Sequence, residues 1–361
     1  MHSPGAIQPA ELWRLFMRAM AVVDYARPLE LLHVPAADIP AGHAWIRVLA
    51  CGVCFSDVKI ARGQMPFSSS LRLPHIPGHE ICGEVLEAPG GFWFQKGDRV
   101  LVYNYWGCGR CPMCRIGQEN LCLNLQGWVG FTNPGGFQEG LAVPPERLLP
   151  LPPGISPEQA APIGCAIATA YRAVVTRAAV RPGELVGVIG VGGIGLHAVQ
   201  IARAAGARVI AVDIDPRKLE LARVFGAVAV LPEEAEETAR RWGDGIGLDA
   251  VIETVGHVHT VDLAIRMIRR GGRLIGVGYR LGDMASIHTP RWVLEEITLM
   301  GSRYALRHEV EQAIRLVAEG LVRPVIDEVL PLESANEALE RLERGQAIGR
   351  LVLQVGSFSG V

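Results

Sequence analysis

The stretch Leu185-Val-Gly-Val-Ile189 runs directly into Gly190-Val-Gly192-Gly193-Ile-Gly195, and its reading decides the fold. A short apolar run bounded by a glycine turn predicts a strand buried on both faces, over 185–189. The glycines then turn the chain into a helix predicted over 194–205. Gly190 permits the tight turn, Gly192 lets backbone approach a pyrophosphate, and Gly195 lets helix and strand pack closely. With Gly193 they form a candidate cofactor loop whose helix N-terminus faces phosphate charge. A lone motif of this kind is weak. Here the next predicted strand, 208–212, ends in Asp213, 18 residues after Gly195. A carboxylate there binds both ribose hydroxyls and repels a 2′-phosphate, which favours NAD over NADP. Lys218, one helical turn further, reaches the adenosine ribose or is simply a solvated helix residue.

Outward from this motif, strands and helices alternate. A helix is predicted over 216–225 and strands over 249–253 and 273–277. That alternation argues a parallel sheet covered on both faces. Upstream, 20–150 reads as an irregular β region, with strands over 44–50, 81–86 and 99–102 punctuated by Gly and Pro. A helical stretch follows over 158–180. Beyond 302 come helices over 309–319 and 334–344 and a last strand over 349–355. The 361 residues suit two domains, and 49% hydrophobic residues fill large cores. A formal net charge of −2 argues against a nucleic-acid or anionic-membrane partner. No apolar run is long enough to span a bilayer. Residues 1–20 lack the apolar block of a signal peptide and read as an N-terminal extension, so a cytoplasmic, reducing setting is expected.

Four of the eight cysteines form Cys108-x2-Cys111-x2-Cys114-x7-Cys122. This spacing suits one tetrahedral zinc bound by four thiolates, with glycines and a proline supplying the turns. Such a closed site has no open position, so it builds structure and does no chemistry. A second set is Cys54, His79 and Cys165. A cysteine, a histidine and a second cysteine with one free position make a catalytic zinc pattern, although buried cysteines are usually just small hydrophobes.

The segments GVCFSD (52–57), PGHE (77–80), the cysteine lobe, Cys165 with Thr169, GVGGIG with Asp213, and Gly349-Arg350 together resemble the zinc-dependent medium-chain alcohol dehydrogenase family. The resemblance covers about residues 20–355. It implies an α/β protein, with a GroES-like, mostly β catalytic domain over 21–165 and 302–361. A Rossmann NAD-binding domain would be inserted over 166–301, and a structural zinc lobe would lie at about 104–124. It implies two zinc ions per chain. Cys54, His79 and Cys165 would be the catalytic ligands, and Glu80 a carboxylate that enters the zinc shell during exchange. Asp57 would orient the ligand histidine, Ser56 pass the substrate proton, Thr169 lie beside the nicotinamide, and Arg350 contact the pyrophosphate. Tyr103, Asn104, Tyr105 and Trp106 fall where the family lines its substrate pocket. The resemblance implies reversible oxidation of a primary or secondary alcohol by NAD. It also implies a homotetramer rather than a dimer, because a long insertion carried by dimeric relatives is missing.

The chain departs from the family at two places. Lys59, one of only three lysines, stands where many members place a relay histidine. It ends the proton relay, binds the nicotinamide ribose, or is a surface lysine. Phe55 stands where members often carry a basic residue that touches the pyrophosphate, which implies a somewhat weaker grip on NAD or an apolar wall there instead. The competing readings are a polyol dehydrogenase of the same family, a non-catalytic zinc- and NAD-binding redox sensor, and a zinc-free quinone reductase relative.

Overall fold

The computed structural model describes residues 16–35 and 39–356. Their contacts divide them into two compact units. The first runs to Gly164 and resumes over Glu328–Ala347 and from Leu351 onward; the second is Cys165–Asp327 with Ile348–Arg350.

The first unit is built on the strand Ala44–Val53, almost wholly buried. It pairs antiparallel with Glu80–Glu87 and Gly140–Val143, and with the last strand, Arg350–Gln354. Arg99–Val102 and Leu148–Pro150 extend the sheet beyond Glu80–Glu87. One core, including Ile46, Val48, Ile81, Phe137, Leu148 and Leu351, lies against this sheet. The register places Gly52 opposite Glu80. Cys54, just past one strand, and His79, just before the other, therefore come to the same end of the sheet. The expected N-terminal extension ends sooner than residue 20, because Met17–Ala21 is a strand paired with Glu30–Val34 and its alanines are fully buried. Residues 1–15 lie outside the described residues.

The second unit has six parallel strands. In spatial order they are Val228–Val230, Arg208–Val212, Leu185–Ile189, Leu248–Glu253, Ile268–Gly276 and Thr298–Gly301. This is the 3-2-1-4-5-6 order of a Rossmann sheet, with its ligand crevice where the order reverses, outside Ile189 and Glu253. The helix expected over 194–205 is Gly195–Ala204, and that over 216–225 is Pro216–Val224.

Two further expectations are corrected. The helical stretch over 158–180 is broken into Pro157–Ala160, a 3₁₀ turn Ala161–Gly164, Ala166–Tyr171 and a π turn Arg172–Arg177. The break falls at Cys165, whose φ of −142° and ψ of −61° are not helical. The return to the first domain expected at 302 falls instead after Asp327. The reason is the helix Arg307–Ala318, whose buried Glu309 anchors it within the second unit. Both carboxylate oxygens of Glu309 accept from Arg172 at 2.9 Å, and one also accepts from the Thr176 hydroxyl at 2.6 Å. A buried charge pair of this kind is strongly destabilising to break, so the helix stays with its partner.

Candidate active site and metal centres

Cys54 is the N-cap of the helix Phe55–Ala61, and Asp57 is its third residue. Asp57 Oδ2 accepts the Cys54 N–H at 2.8 Å, which satisfies a free donor of the helix start. Asp57 Oδ1 accepts the Gly78 N–H at 3.1 Å and lies 3.2 Å from His79 Nδ1. One buried carboxylate thus fixes both the cysteine turn and the histidine ring. Burial works against a charge on His79, and the Asp57 charge and hydrogen bond, with Cys54 beside it, outweigh burial and push its pKa up. Asp57 holds the Nδ1 proton, so Nε2 is the nitrogen that would give up its proton to bind an ion. His79 Nε2 is buried without a hydrogen-bond partner of ordinary geometry. The ligand atoms of Cys54, His79 and Glu80 lie within 4.8 Å of one another. These observations fit a metal held by thiolate and imidazole.

Glu80 is fully buried, and its side chain lies across Gly52, where a Cβ would sit 2.1 Å from Oε2. Gly78 has a φ of +96°, and a Cβ there would strike the Phe137 ring at 2.4 Å. The segment around Phe137 closes over this turn: Gly136 N–H bonds to Gly78 O and Phe137 N–H to Pro77 O. Gly164, the last residue of the first unit, passes next to Glu80, its Cβ position 3.5 Å from Glu80 Cα. Cys165 is the residue bonded to it, and opens the second unit. Thr169 is buried one turn on, its hydroxyl 3.8 Å from Cys165 Sγ. Ser56 and Lys59 are half-buried on the Phe55–Ala61 helix, and Lys59 Nζ lies 5.9 Å from the ring centroid of Phe55.

Sequence reasoning missed the aromatic wall beside His79. The Phe131 ring is 4.6 Å from the imidazole, Trp128 stacks on Phe131 at 3.9 Å, and Phe67 packs edge-on against Phe131 and tilted against Trp128. The expected lining segment backs this wall. Tyr105 is buried edge-on behind Trp128, Tyr103 is fully buried, and Asn104 donates to the His79 carbonyl at 3.0 Å. The only sequence signal for the wall was a pair of aromatics among glycines in GWVGF.

The four cysteines of the lobe converge as their spacing predicts. A tetrahedron with zinc–sulfur bonds of about 2.3 Å sets sulfurs about 3.8 Å apart. Cys111 Sγ and Cys122 Sγ are 3.9 Å apart, and all four sulfurs lie within 4.8 Å of one another. Backbone N–H groups point at the sulfurs: Cys108 and Asn124 at Cys122 Sγ, and Cys111 at Cys108 Sγ, each at 3.3 Å. Such donors, that of Leu123 first, pull the Cys111 thiol down to about 6, whereas burial and then the neighbouring thiols hold Cys114 up at about 12. Four thiolates this close need a cation among them, which is what a zinc provides. Arg147 fastens the lobe through Glu119 at 2.9 Å.

In the second unit, Gly190 has a φ of +85°, and its carbonyl accepts the Thr254 hydroxyl at 2.6 Å. Asp213 follows the second strand and curls back on the loop, accepting the Val191 N–H at 2.8 Å and the Asp215 N–H at 3.0 Å. A Cβ on Gly195 would lie 2.0 Å from the Gly190 carbonyl oxygen, and one on Gly193 2.6 Å from Arg350 Nη1; Gly192 faces open space. Arg350 is thus brought to the glycine loop. Lys218 lies half-buried in the helix after Asp213.

Fold and donor sets define a zinc-binding, dinucleotide-dependent dehydrogenase. The model of the alcohol dehydrogenase GroES-like domain matches residues 40–153, and that of the zinc-binding dehydrogenase domain matches residues 193–319. An alcohol dehydrogenase of Geobacillus stearothermophilus is 36% identical over 94% of this chain and 100% of its own length. An NAD-dependent alcohol dehydrogenase of Sulfolobus acidocaldarius is 34% identical over 94% and 100%. The crystal structure of the alcohol dehydrogenase from Aeropyrum pernix superposes with a TM-score of 0.86 at 32% identity, covering 93% of this chain and 99% of that one. The chain belongs to the zinc-dependent medium-chain alcohol dehydrogenase family. Its activity is NAD-dependent interconversion of alcohols with aldehydes or ketones. The redox-sensor reading is thereby overturned, and the polyol reading is not favoured. No helix among the described residues is long and apolar enough to cross a membrane.

Proposed function

We propose that the substrates are bulky apolar alcohols, aromatic ones included, and their carbonyl counterparts. The observation that carries this reading is the Trp128–Phe131–Phe67 wall against the imidazole of His79. A wall of this kind offers mainly apolar area, with the Trp128 indole N–H its one polar group, so most hydroxyls of a polyol would be bound unsatisfied. Bound zinc supplies a Lewis acid that makes an alcohol proton easier to lose, and NAD supplies the hydride acceptor. The chain's own part is orientation and proton movement. Cys54, His79 and Cys165 hold the catalytic ion, and Glu80 stands ready to enter its shell. Asp57 keeps the proton on His79 Nδ1. The Ser56 hydroxyl receives the substrate proton and Lys59 Nζ passes it outward. Thr169 bounds the nicotinamide; Gly190, Gly192, Gly193, Gly195 and Arg350 hold the pyrophosphate, and Asp213 and Lys218 the adenosine ribose. Cys108, Cys111, Cys114 and Cys122 hold the structural ion.

The test is NADH formation by zinc-loaded protein across short, long, aromatic and polyhydroxy alcohols. Aromatic and long-chain alcohols are expected to give the highest kcat/KM. A polyol at the top of the series refutes the substrate assignment.

A homotetramer, or a dimer within it, is proposed as the working form. Support comes from the edge strand Thr298–Gly301, whose neighbourhood exposes Leu299, Trp292, Val293, Leu294 and Met284. An apolar edge of this kind is a template for a second copy. Eight free cysteines suit the reducing cytoplasm. Light scattering that gives a monomer mass would remove the assembly proposal.

A further inference from the structure

We propose that His197 is the positioning residue of the dinucleotide cradle, tying the glycine loop to Arg350 so that loop amides and guanidinium address one pyrophosphate. This rests on reading that loop and Arg350 as the pyrophosphate site.

His197 lies in the first turns of the helix Gly195–Ala204 and is fully buried. Both ring nitrogens are engaged. Nδ1 is 2.6 Å from the Gly193 carbonyl oxygen, and Nε2 is 3.0 Å from the Val325 nitrogen. A backbone N–H only donates, so Nε2 is the acceptor and the proton rests on Nδ1, which donates to Gly193. The bond from Val325 requires a neutral ring, because an imidazolium Nε2 could only donate. Burial, with Arg350 nearby, pushes its pKa down to about 4, which keeps the ring neutral at ordinary pH.

The bond to Gly193 has a directional consequence. The His197 N–H bonds to the Ile194 carbonyl, so the side chain, not the helix, takes the Gly193 oxygen. A trans peptide points its C=O and N–H in opposite directions. Fixing the Gly193 carbonyl toward the helix interior therefore aims the Ile194 N–H outward, among the donors a helix start offers to an anion. The bond to Val325 leads to the cation. The Val325 carbonyl accepts the Arg350 N–H at 2.8 Å, and Arg350 Nη1 returns to the Cα of Gly193 closely enough to leave no room for a Cβ. The loop, His197, Val325 and Arg350 thus form a closed ring. Gln200 repeats the clamp on the same backbone segment: Oε1 accepts the Arg323 N–H at 2.8 Å, and Nε2 donates to the Arg323 carbonyl at 3.0 Å.

The experiment measures dissociation constants of zinc-loaded protein for ADP-ribose, which carries the pyrophosphate, and for adenosine, which does not. His197→Leu removes both ring bonds at similar volume; His197→Asn retains a donor near Nδ1. ADP-ribose affinity is expected to fall about tenfold in the first, which is about 1.4 kcal/mol, and about threefold in the second. Adenosine affinity should be unchanged in both. Equal weakening of both ligands, or of neither, overturns the proposal. If His197→Leu does not fold, His197→Asn is judged alone by the same criterion. Arg350→Met separates the two levels: ADP-ribose binding unaffected by Arg350→Met refutes the pyrophosphate reading itself. Weakening there beside unaffected His197 variants refutes only the role of His197.

Discussion

Asp57→Asn tests how the catalytic turn is held. The carboxylate accepts three donors: Cys54 N–H at 2.8 Å, Gly78 N–H at 3.1 Å and His79 Nδ1 at 3.2 Å. An amide has one accepting oxygen. Placed at Oδ1 it keeps the last two contacts, and its NH₂ then opposes the Cys54 N–H, donor against donor. The opposite orientation loses two contacts, so the first will be adopted. The variant therefore loses one charge-assisted bond and leaves a buried N–H unsatisfied, at a cost of about 1–3 kcal/mol. The remaining bonds to Gly78 and His79 also lose their charged acceptor. For a residue that orients a metal-binding histidine, metal affinity should fall about 10–100-fold. The assay pairs urea unfolding with zinc retention under a graded chelator challenge. The expected outcome is a lower unfolding free energy and loss of one zinc per chain at chelator concentrations the parent withstands, with the lobe zinc retained. Unchanged stability together with unchanged zinc retention would refute the assignment of Asp57 as the common anchor.

The other predictions follow the same geometry. Cys111→Ser should reduce zinc from two ions to one per chain and open residues 104–124 to limited proteolysis, while NADH still binds; a resistant lobe would show that the quartet holds no ion. His197 makes stability pH-dependent: its folded pKa, about 4, lies below the ordinary 6.5. The unfolded chain therefore takes up the proton first, so the stability held by the neutral ring is whole above pH 6.5 and is lost as pH falls toward 4. The loss is about 3 kcal/mol, and urea unfolding of parent and His197→Leu across that range checks it, because the variant should lack this part of the slope. Lys59→Ala should lower kcat at pH 7 about 100-fold, with partial recovery on adding a small amine; undiminished turnover removes Lys59 from the relay.

Much of the fold was legible because local pattern and global structure agree at the glycine loop. A run of five apolar residues, three precisely spaced glycines and a carboxylate after the next strand all demand the same parallel arrangement. Cysteine spacing disclosed the lobe because its ligands are near neighbours in sequence. Other elements hid for physical reasons. The helix Pro232–Trp242 buries only Ala235, Thr238 and Ala239, small residues among glutamates and arginines rather than a run of large apolar ones. The strand Ile268–Gly276 follows the helix ending at Met267 without a turn and carries Arg269-Arg270-Gly271-Gly272, which reads as a loop. The π turn after Tyr171 accompanies the pairing of Arg172 with Glu309, a contact 137 residues away in sequence. The aromatic wall was hidden likewise, because Phe131 meets His79 only through the closure of its segment over the Gly78 turn.

The same limit explains how eight cysteines divide their work. Sequence spacing singles out four, yet Cys51, Cys54, Cys82 and Cys165 look alike as isolated thiols. Their surroundings separate them. Burial first, then Asp57 and Glu80, push the Cys51 thiol well up, and burial pushes Cys82 up to about 12. Both are fully buried in the sheet, and neither falls in a cluster of metal-ligating atoms among the described residues. Cys54 differs in position, not in burial. It lies past the end of its strand, at a helix N-cap where dipole and free N–H groups favour negative charge. Cys165 is likewise the N-cap of Ala166–Tyr171. Cys54 and Cys165 thus stand at helix starts, whereas Cys51 and Cys82 lie within strands. On this basis Cys82→Ala should leave the zinc content at two per chain and cost only stability, whereas Cys54→Ala should remove one zinc and all turnover. Loss of zinc from Cys82→Ala, measured on folded protein, would break the distinction.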